Sequence, residues 1–285
     1  MITVALATYR RPEGLQQALD ALASQGFNRL RVIVSDDDPS DDARRRVEAD
    51  QRLHLTYLAR TPRRGVLRNH LSMMPEVTSD LFMFHGDDDA LLPDALCQLS
   101  EPLKAALGYD AVFANYLKGP TPAQARCVAI ADLPFVRYWR HRRRSVRMLA
   151  YYLCPAFLGK QNLFYGLFRT EAARRIDLDK AIPARSHHLN LDEMFSFQAV
   201  CNGPVLVIGQ SCFFFAEGNA KHYQDAPGAS KGSLGALVEF VRYEWLTLFD
   251  YLRNVQRGQD RLLILLLFPL KFATAMVWRY GRWFR

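Results

Sequence analysis

"LFMFHGDDDALLPDAL", residues 81–96, runs a short apolar segment into three consecutive aspartates, Asp87, Asp88 and Asp89. Like charges this close repel, and packing gives a fold no reason to collect them. A second stretch, "RVIVSDDDPSDD" at 31–42, runs a β-branched segment into Asp36, Asp37 and Asp38. Both apolar segments are near-continuous, as strands are when both faces of a sheet are covered.

The first 115 residues alternate around these two stretches. "ITVALAT" (2–8) reads as a strand, and "RPEGLQQALDALASQG" (11–26) as a helix with a glycine stop. Helix-like "SDDARRRVEAD" (40–50) and strand-like "LHLTYLA" (53–59) follow, and "RRGVLRNHLSMM" (63–74) is a further helix candidate. Helix-like "LPDALCQLSEPLKAAL" (92–107) and strand-like "YDAVFAN" (109–115) complete the series. Alternation of this kind indicates an α/β fold, a mainly parallel sheet flanked by helices. Such sheets bind ligands beyond the carboxyl ends of their strands, and both aspartate clusters fall there.

Later segments read as a loop "KGPTPAQ" (118–124), a strand "NLFYGLFR" (162–169) entering a helix "TEAARRI", and a helix "LDEMFSFQAVC" (191–201). Two strand candidates, "PVLVIG" and "SCFFFA", precede a polar loop at 217–233. Residues 137–147 carry six arginines in eleven positions. A solvated face, or a site for lipid headgroups or a lipid-linked pyrophosphate, accounts for them. Nucleic acid is not expected, because no helix-turn-helix, RRM or zinc pattern accompanies the run.

With 285 residues, 49% hydrophobic and 23% charged, the chain has material for one large or two small globular domains. A net charge of +8 points to an anionic partner. Five scattered cysteines show no zinc spacing and suit buried thiols in a reducing cytosol. The opening "MITVALATYRRPEG" reads as a first strand and not as a signal peptide. The last 52 residues, 234–285, have apolar positions at helical spacing and end in "RLLILLLFPLKFATAMVWRYGRWFR". Pro269 and Lys271 argue against a membrane span, and Trp278, Tyr280, Trp283 and Phe284 suit an interface. The expectation is a basic amphipathic segment in the membrane surface, with a packed core helix as the alternative.

Aspartates at a strand end can hold a hard divalent cation or accept a hydrogen bond from a base or sugar. A phosphate-bearing ligand needs the cation, since carboxylates repel phosphates. Asp87–Asp89 therefore reads as a metal–diphosphate site and Asp36–Asp38 as the place of the ligand's other end. The plain alternative is two solvated acidic turns, one capping the helix that starts near Ser40.

Over roughly residues 1–225 the sequence resembles the family-2 inverting glycosyltransferases of GT-A fold. "VALATYRRPEGLQQALDAL" is similar to the family's opening strand and loop, which implies that Thr8, Tyr9 and their neighbour Arg11 line the nucleotide pocket. "VIVSDDDPSDD" resembles the element whose aspartate contacts the base, here Asp36 with Asp37 nearby. "RRGVLRNHL" places Gly65, Arg68 and Asn69 at the diphosphate side, and "FHGDDDALLPDAL" looks like the metal-binding DxD region. "NLFYGLFRTEA" is similar to the acceptor-side strand, and "LNLDEMFSFQ" to the motif that supplies the catalytic base, here Asp192 with Glu193 as the alternative. His222 would complete the metal site, while His187 and His188 lie near the acceptor or are simply exposed. One departure stands out. Gly86 occupies the position of the first DxD carboxylate, so alignment on Pro93 makes Asp88 a direct ligand with Asp87 and Asp89 beside it. Strand alternation would instead pair Asp87 with Asp89 on one face.

The resemblance implies a metal-dependent enzyme using Mn²⁺ or Mg²⁺. It would move a sugar from a nucleotide-sugar donor, UDP-sugar being the commonest class, to a glycan or lipid-linked acceptor. It further implies a transferase domain at 1–225, divided into a nucleotide-binding half (1–115) and an acceptor-binding half (116–225), ahead of a membrane-associating helical segment at 234–285. The place of work implied is the cytoplasm, peripheral on the inner face of the cell membrane. The competing readings are a sugar-phosphate nucleotidyltransferase and an inactive membrane-surface module of the same fold.

Overall fold

The computed structural model describes residues 1–39, 41–182, 191–216 and 233–280. Strands β1 (Ile2–Thr8), β2 (Leu30–Asp36) and β3 (His54–Ala59) alternate with helices α1 (Pro12–Ala23), α2 (Asp41–Ala49) and α3 (Val66–Leu71), and β4 (Leu81–Gly86) follows. β1 and β4 are buried along their whole length, which is why their sequences carry no polar alternation. α1 buries Leu15, Ala18, Leu19 and Leu22, one face at helical spacing. The second half adds β5 (Asp89–Leu91), α4 (Ala95–Ala105), β6 (Ala111–Gly119), β7 (Arg126–Val128) and α5 (Arg144–Leu153). β8 (Leu167–Arg169), α6 (Thr170–Arg174), α7 (Leu178–Ala181), α8 (Leu191–Asn202) and β9 (Val205–Ala216) come next. Helices α9 (Ser233–Asn254) and α10 (Gly258–Tyr280) end the described chain.

One sheet joins the strands in the order β3-β2-β1-β4-β8-β6-β9-β5, with β7 beside β6. The expected parallel arrangement holds for β3, β2, β1 and β4. Beyond β4 the sheet is mixed: β8 runs antiparallel to β4 and β6, while β6 and β9 are parallel. The register sets Thr8 opposite Asp36, Asp36 opposite Ala59, and Ala7 opposite Gly86. Both aspartate clusters therefore leave the sheet along the same carboxyl edge.

Three expectations change. Residues 162–165 are not strand: Lys160–Tyr165 forms a 3-10 segment whose Leu163 and Phe164 enter the core, and only Leu167–Arg169 pairs with the sheet. Gly159, at φ +89°, starts that segment in a conformation other side chains rarely adopt. The two late strand candidates are one strand, β9, whose pairing with β6 shifts register at Asn115. The C-terminal helices do not form a separable tail. Leu248, Tyr251, Val255 and Ile264 belong to the same core as Phe195 and Phe197. Burying each such side chain is worth about 1.5–3 kcal/mol. No described helix is long and apolar enough to cross a membrane.

The arginine run is likewise not uniform. Trp139 and Arg147 are buried while Arg140, Arg142 and Arg143 are exposed. Arg147 donates from Nε to the Val200 carbonyl (2.7 Å) and from Nη2 to that of Cys201 (3.0 Å). Its Nη1 reaches the carbonyls of His141 and Arg142, each at 2.8 Å. The side chain thus caps the C-terminal end of α8, where carbonyls lack helical partners. Replacing Arg147 by Met strands these buried acceptors and should cost about 3 kcal/mol in urea unfolding. Arg142→Met, on the exposed face, should stay within about 0.5 kcal/mol of the parent.

Candidate active site

At the carboxyl edge, Thr8 Oγ1 donates to Asp87 Oδ2 at 2.7 Å, and the Tyr9 amide donates to the same oxygen at 3.3 Å. Asp87 is thus turned back onto β1. Arg11 Nη1 lies 2.8 Å from Asp88 Oδ2 and 3.5 Å from Asp87 Oδ1. An ideal Cβ at Gly86 would sit 2.8 Å from Asp88 Oδ1 and 3.6 Å from Asp89 Oδ2. The missing side chain at 86 is what lets these two carboxylates approach one spot. Burial pushes the pKa of Asp87 up to about 6, against the Thr8 hydrogen bond. Burial, together with the Asp88 charge, pushes Asp89 well above the usual carboxylate range.

Two carboxylates, one buried and one partly exposed, converging on a space without a side chain suit a hard cation. Asp88 and Asp89 are the pair placed to hold one, while Asp87 is committed to Thr8. Among the described residues no group of three or more His, Cys, Asp or Glu side chains forms a metal cage. Mg²⁺-type sites do not need one, since one or two carboxylates plus substrate phosphates suffice. His222, expected here, lies outside the described residues, as do His187 and His188.

The second aspartate cluster forms a separate knot. Asp36 takes a hydrogen bond from Tyr57 Oη (2.8 Å) and one from the Asp38 amide (3.0 Å). Asp37 takes the amides of Arg64 (2.6 Å) and Gly65 (2.8 Å), and Gly65 needs its glycine for φ +79°. Asn69 is closed against Ser35, accepting from its hydroxyl (2.6 Å) and donating to its carbonyl (2.9 Å). All three are buried: Asp37 fixes the loop between β3 and α3, Asp36 ties β2 to β3 through Tyr57, and Asn69 ties α3 to β2. Arg68, on α3, is exposed. Arg63 stacks over the Tyr9 ring with its guanidinium carbon 4.0 Å from the centroid, a contact the sequence did not signal.

The second half brings α8 toward this edge through aromatic packing. Phe84 of β4 stacks on Phe164 with ring centroids 4.5 Å apart and meets Phe195 edge-on at 5.5 Å. Phe195 lies one turn after Asp192. Burial, with the Glu193 charge adding to it, pushes the Asp192 pKa up to about 6. Glu193 points elsewhere, into a buried cradle from the C-terminal helices and the 3-10 segment. Tyr243 Oη donates to its Oε2 at 2.7 Å, Tyr251 Oη donates to Oε1, and Lys160 Nζ is 3.0 Å from Oε1. Of the motif's two carboxylates, Glu193 is buried and engaged in these contacts, whereas Asp192 is half-buried. Lys160, Tyr243 and Tyr251 were missed because each is unremarkable in its own stretch of sequence.

Residues 3–157, just over half of the chain, match the family described as Glycosyl transferase family 2. Over 120 residues the chain is 32% identical to a GalNAc(5)-diNAcBac-PP-undecaprenol beta-1,3-glucosyltransferase of Campylobacter jejuni. That match covers 41% of this chain and 38% of the relative, so the chain spans well under half of that relative's length. In structure it is similar to TarS 1-349 of S. aureus in complex with UDP-GlcNAc, with TM-score 0.64 and 15% identity over 97% of this chain and 74% of that one. The mannosyltransferase PcManGT from Pyrobaculum calidifontis, in complex with GDP-Man and Mn²⁺, gives TM-score 0.56 and 16% identity over 97% and 73% of the two chains. These likenesses show the fold, which is GT-A.

Burial works against the Glu193 charge, but Lys160, Lys271 and the two tyrosine hydroxyls outweigh it and bring its pKa down to about 2, against an ordinary 4.5. A depressed carboxylate stabilises the fold above its unfolded pKa and loses that contribution as pH falls through the folded one. Glu193→Gln should therefore cost roughly 3–5 kcal/mol at pH 7, because it leaves Lys160 buried without a counter-charge. The deficit should shrink between about pH 4.5 and 2, where the parent protonates too; urea midpoints at several pH values check this.

Proposed function

Since the chain belongs to glycosyl transferase family 2, we propose that it transfers a sugar from a nucleotide-sugar, with UDP-sugar the leading class, to a hydroxyl of a glycan or lipid-linked acceptor, with inversion at the sugar carbon. The observation that carries this reading is the approach of Asp88 and Asp89 to one spot beside Gly86, on the edge where Thr8 and Asp36 also end. A divalent cation, Mn²⁺ or Mg²⁺, held by Asp88 and Asp89 would supply charge neutralisation for the departing nucleoside diphosphate. Arg11, already 2.8 Å from Asp88, adds fixed positive charge at the same edge, and exposed Arg68 adds more. Thr8 and Tyr9, through their hold on Asp87, keep the turn that presents Asp88 and Asp89 in place.

Asp192 accepts the proton of the acceptor hydroxyl as the sugar gains oxocarbenium character. With a pKa near 6 it is ionised at neutral pH and still basic enough for the task. The Campylobacter jejuni relative is named for an undecaprenol-linked substrate, which favours a lipid-linked acceptor here. The place of work we assign is the cytoplasmic face of the membrane that carries such an acceptor.

Titrating UDP, dTDP and GDP by calorimetry should give binding of one nucleotide that needs Mn²⁺ or Mg²⁺ and is lost in Asp88→Ala. Absence of binding under every condition would defeat the proposal. Asp192→Asn should retain that binding while turnover of the matching nucleotide-sugar drops roughly 10²–10⁴-fold. In the parent, kcat/KM should fall about tenfold per pH unit below about 6, because only the carboxylate form of Asp192 takes the proton. A profile flat from pH 5 to 8 would remove Asp192 from this role.

A further inference from the structure

The two C-terminal helices sort their side chains by charge as well as by polarity. Of their four acidic residues, Glu244, Asp250 and Asp260 are buried, and Glu239 is half-buried. Glu244 pairs with Lys271 inside, and Asp260 pairs with Arg144 of α5. Arg242 and Arg261, with Arg257 in the link between the helices, are exposed, while Arg253 donates to the carbonyls of Ile182 and Asp179. Among the described side chains, then, the outer face of this hairpin carries positive charge and no fully exposed acid.

The same outer face is apolar. On α10, Leu262, Leu265, Leu266, Leu270 and Val277 are exposed at helical spacing, Leu266 and Val277 to 66% and 67%. On α9, Val238 and Trp245 are exposed on the stripe that carries Arg242. The Trp245 and Phe268 rings meet at 4.9 Å, which ties the two helices together at this face. Soluble surfaces scatter single apolar residues, whereas a continuous row flanked by arginines needs a partner.

We infer that the outer face of the α9–α10 hairpin docks in the plane of an anionic lipid bilayer, with the leucine row in the acyl boundary and the arginines among the headgroups. Charge complementarity selects this occupant. A second copy of the chain would bring arginine against arginine, while acidic headgroups neutralise the same residues. Arginine also suits this position because its stem lies along apolar surface while the guanidinium reaches the polar layer. The hairpin lies in the interface and does not cross it, consistent with the buried Lys271 in its second helix.

The inference deepens the membrane location proposed above and rests on that location alone, not on the donor or the sugar. It has a geometric consequence. Tyr243 reaches Glu193 from the inner side of α9, so the first turn of α8, with Asp192, stands about one helix diameter, roughly 10–12 Å, plus a side chain from the docking face. That is a suitable height for an acceptor hydroxyl attached to a lipid.

The test is co-sedimentation of the full chain with sucrose-loaded vesicles of phosphatidylcholine containing 30% phosphatidylglycerol, against phosphatidylcholine alone. The parent should partition to the anionic vesicles at least tenfold more strongly than to the neutral ones. Leu266→Glu with Leu270→Glu, both on exposed positions, should lower that partition at least tenfold while thermal unfolding stays near the parent. Arg242→Glu with Arg257→Glu should remove the preference for anionic vesicles. A parent that stays in the supernatant, or a leucine double variant that binds like the parent, overturns the inference. So does a parent dimer in light scattering that Leu266→Glu and Leu270→Glu dissociate, with no vesicle binding by either. Nucleotide binding by calorimetry is read separately, so vesicle binding without it would sink the sugar-transfer reading and leave the docking face standing.

Discussion

The hydrogen bond from Thr8 Oγ1 to Asp87 Oδ2 joins two strand ends that the β1–β4 register has already brought level. Without the register, Thr8 would not reach across; the bond acts with the Tyr9 amide and Arg11 on the turn that leaves β4. Its effect is to divide the cluster. Asp87 faces inward and is desolvated, and Asp88 and Asp89 are left to approach one another beside Gly86. A side chain at 86 would collide with Asp88 Oδ1, so the glycine that looks like a defect in the motif is what makes room for its other members.

A different constraint fixes the second half. Phe84, Phe164, Phe168 and Phe195 bind β4, the 3-10 segment, β8 and α8 into one aromatic cluster. Behind α8, Glu193, Lys160, Tyr243 and Tyr251 form a buried polar network. Burying such charges is costly, and replacing the whole network by apolar residues is often neutral or stabilising. What the network supplies is direction: it fixes Glu193 inward, and the next residue back along the helix, Asp192, is left half-buried with a raised pKa.

The first half of the chain was legible because its signals are local. Apolar runs, helical spacing and strand-end aspartates each fit within a dozen residues, and the strands and helices lie close to where the pattern puts them. Which aspartate turns inward was not legible, since that depends on Thr8, 79 residues away. The bonds of Asp36 to Tyr57 and of Asn69 to Ser35 were not legible either, since tertiary register sets those partners. Lys160 and Tyr251 stand 91 residues apart, and nothing in either stretch sets them apart from surface residues. Arg147 was recoverable in part: with Met148 and Tyr151 it sits on the buried face of α5, whereas Arg142 and Arg143 precede the helix.

The C-terminal helices show why composition misleads when a helix has two different faces. Counted together, their residues describe a basic, aromatic, apolar segment, which fits a membrane-seeking tail and a core helix equally well. Sorted by face, they divide. The inner face buries Tyr251, Ile264 and Ala275 and carries the Lys271–Glu244 pair, all of it structural. The outer face holds the leucine row with Arg242 and Arg261, and the exposed leucines of α10 lie outside the core. Deleting the helices would remove both faces, expose the Glu193 cradle and report on folding alone. Only substitutions confined to the outer face separate attachment from stability, because there a leucine contributes little to the folded state and its replacement by glutamate leaves no cavity.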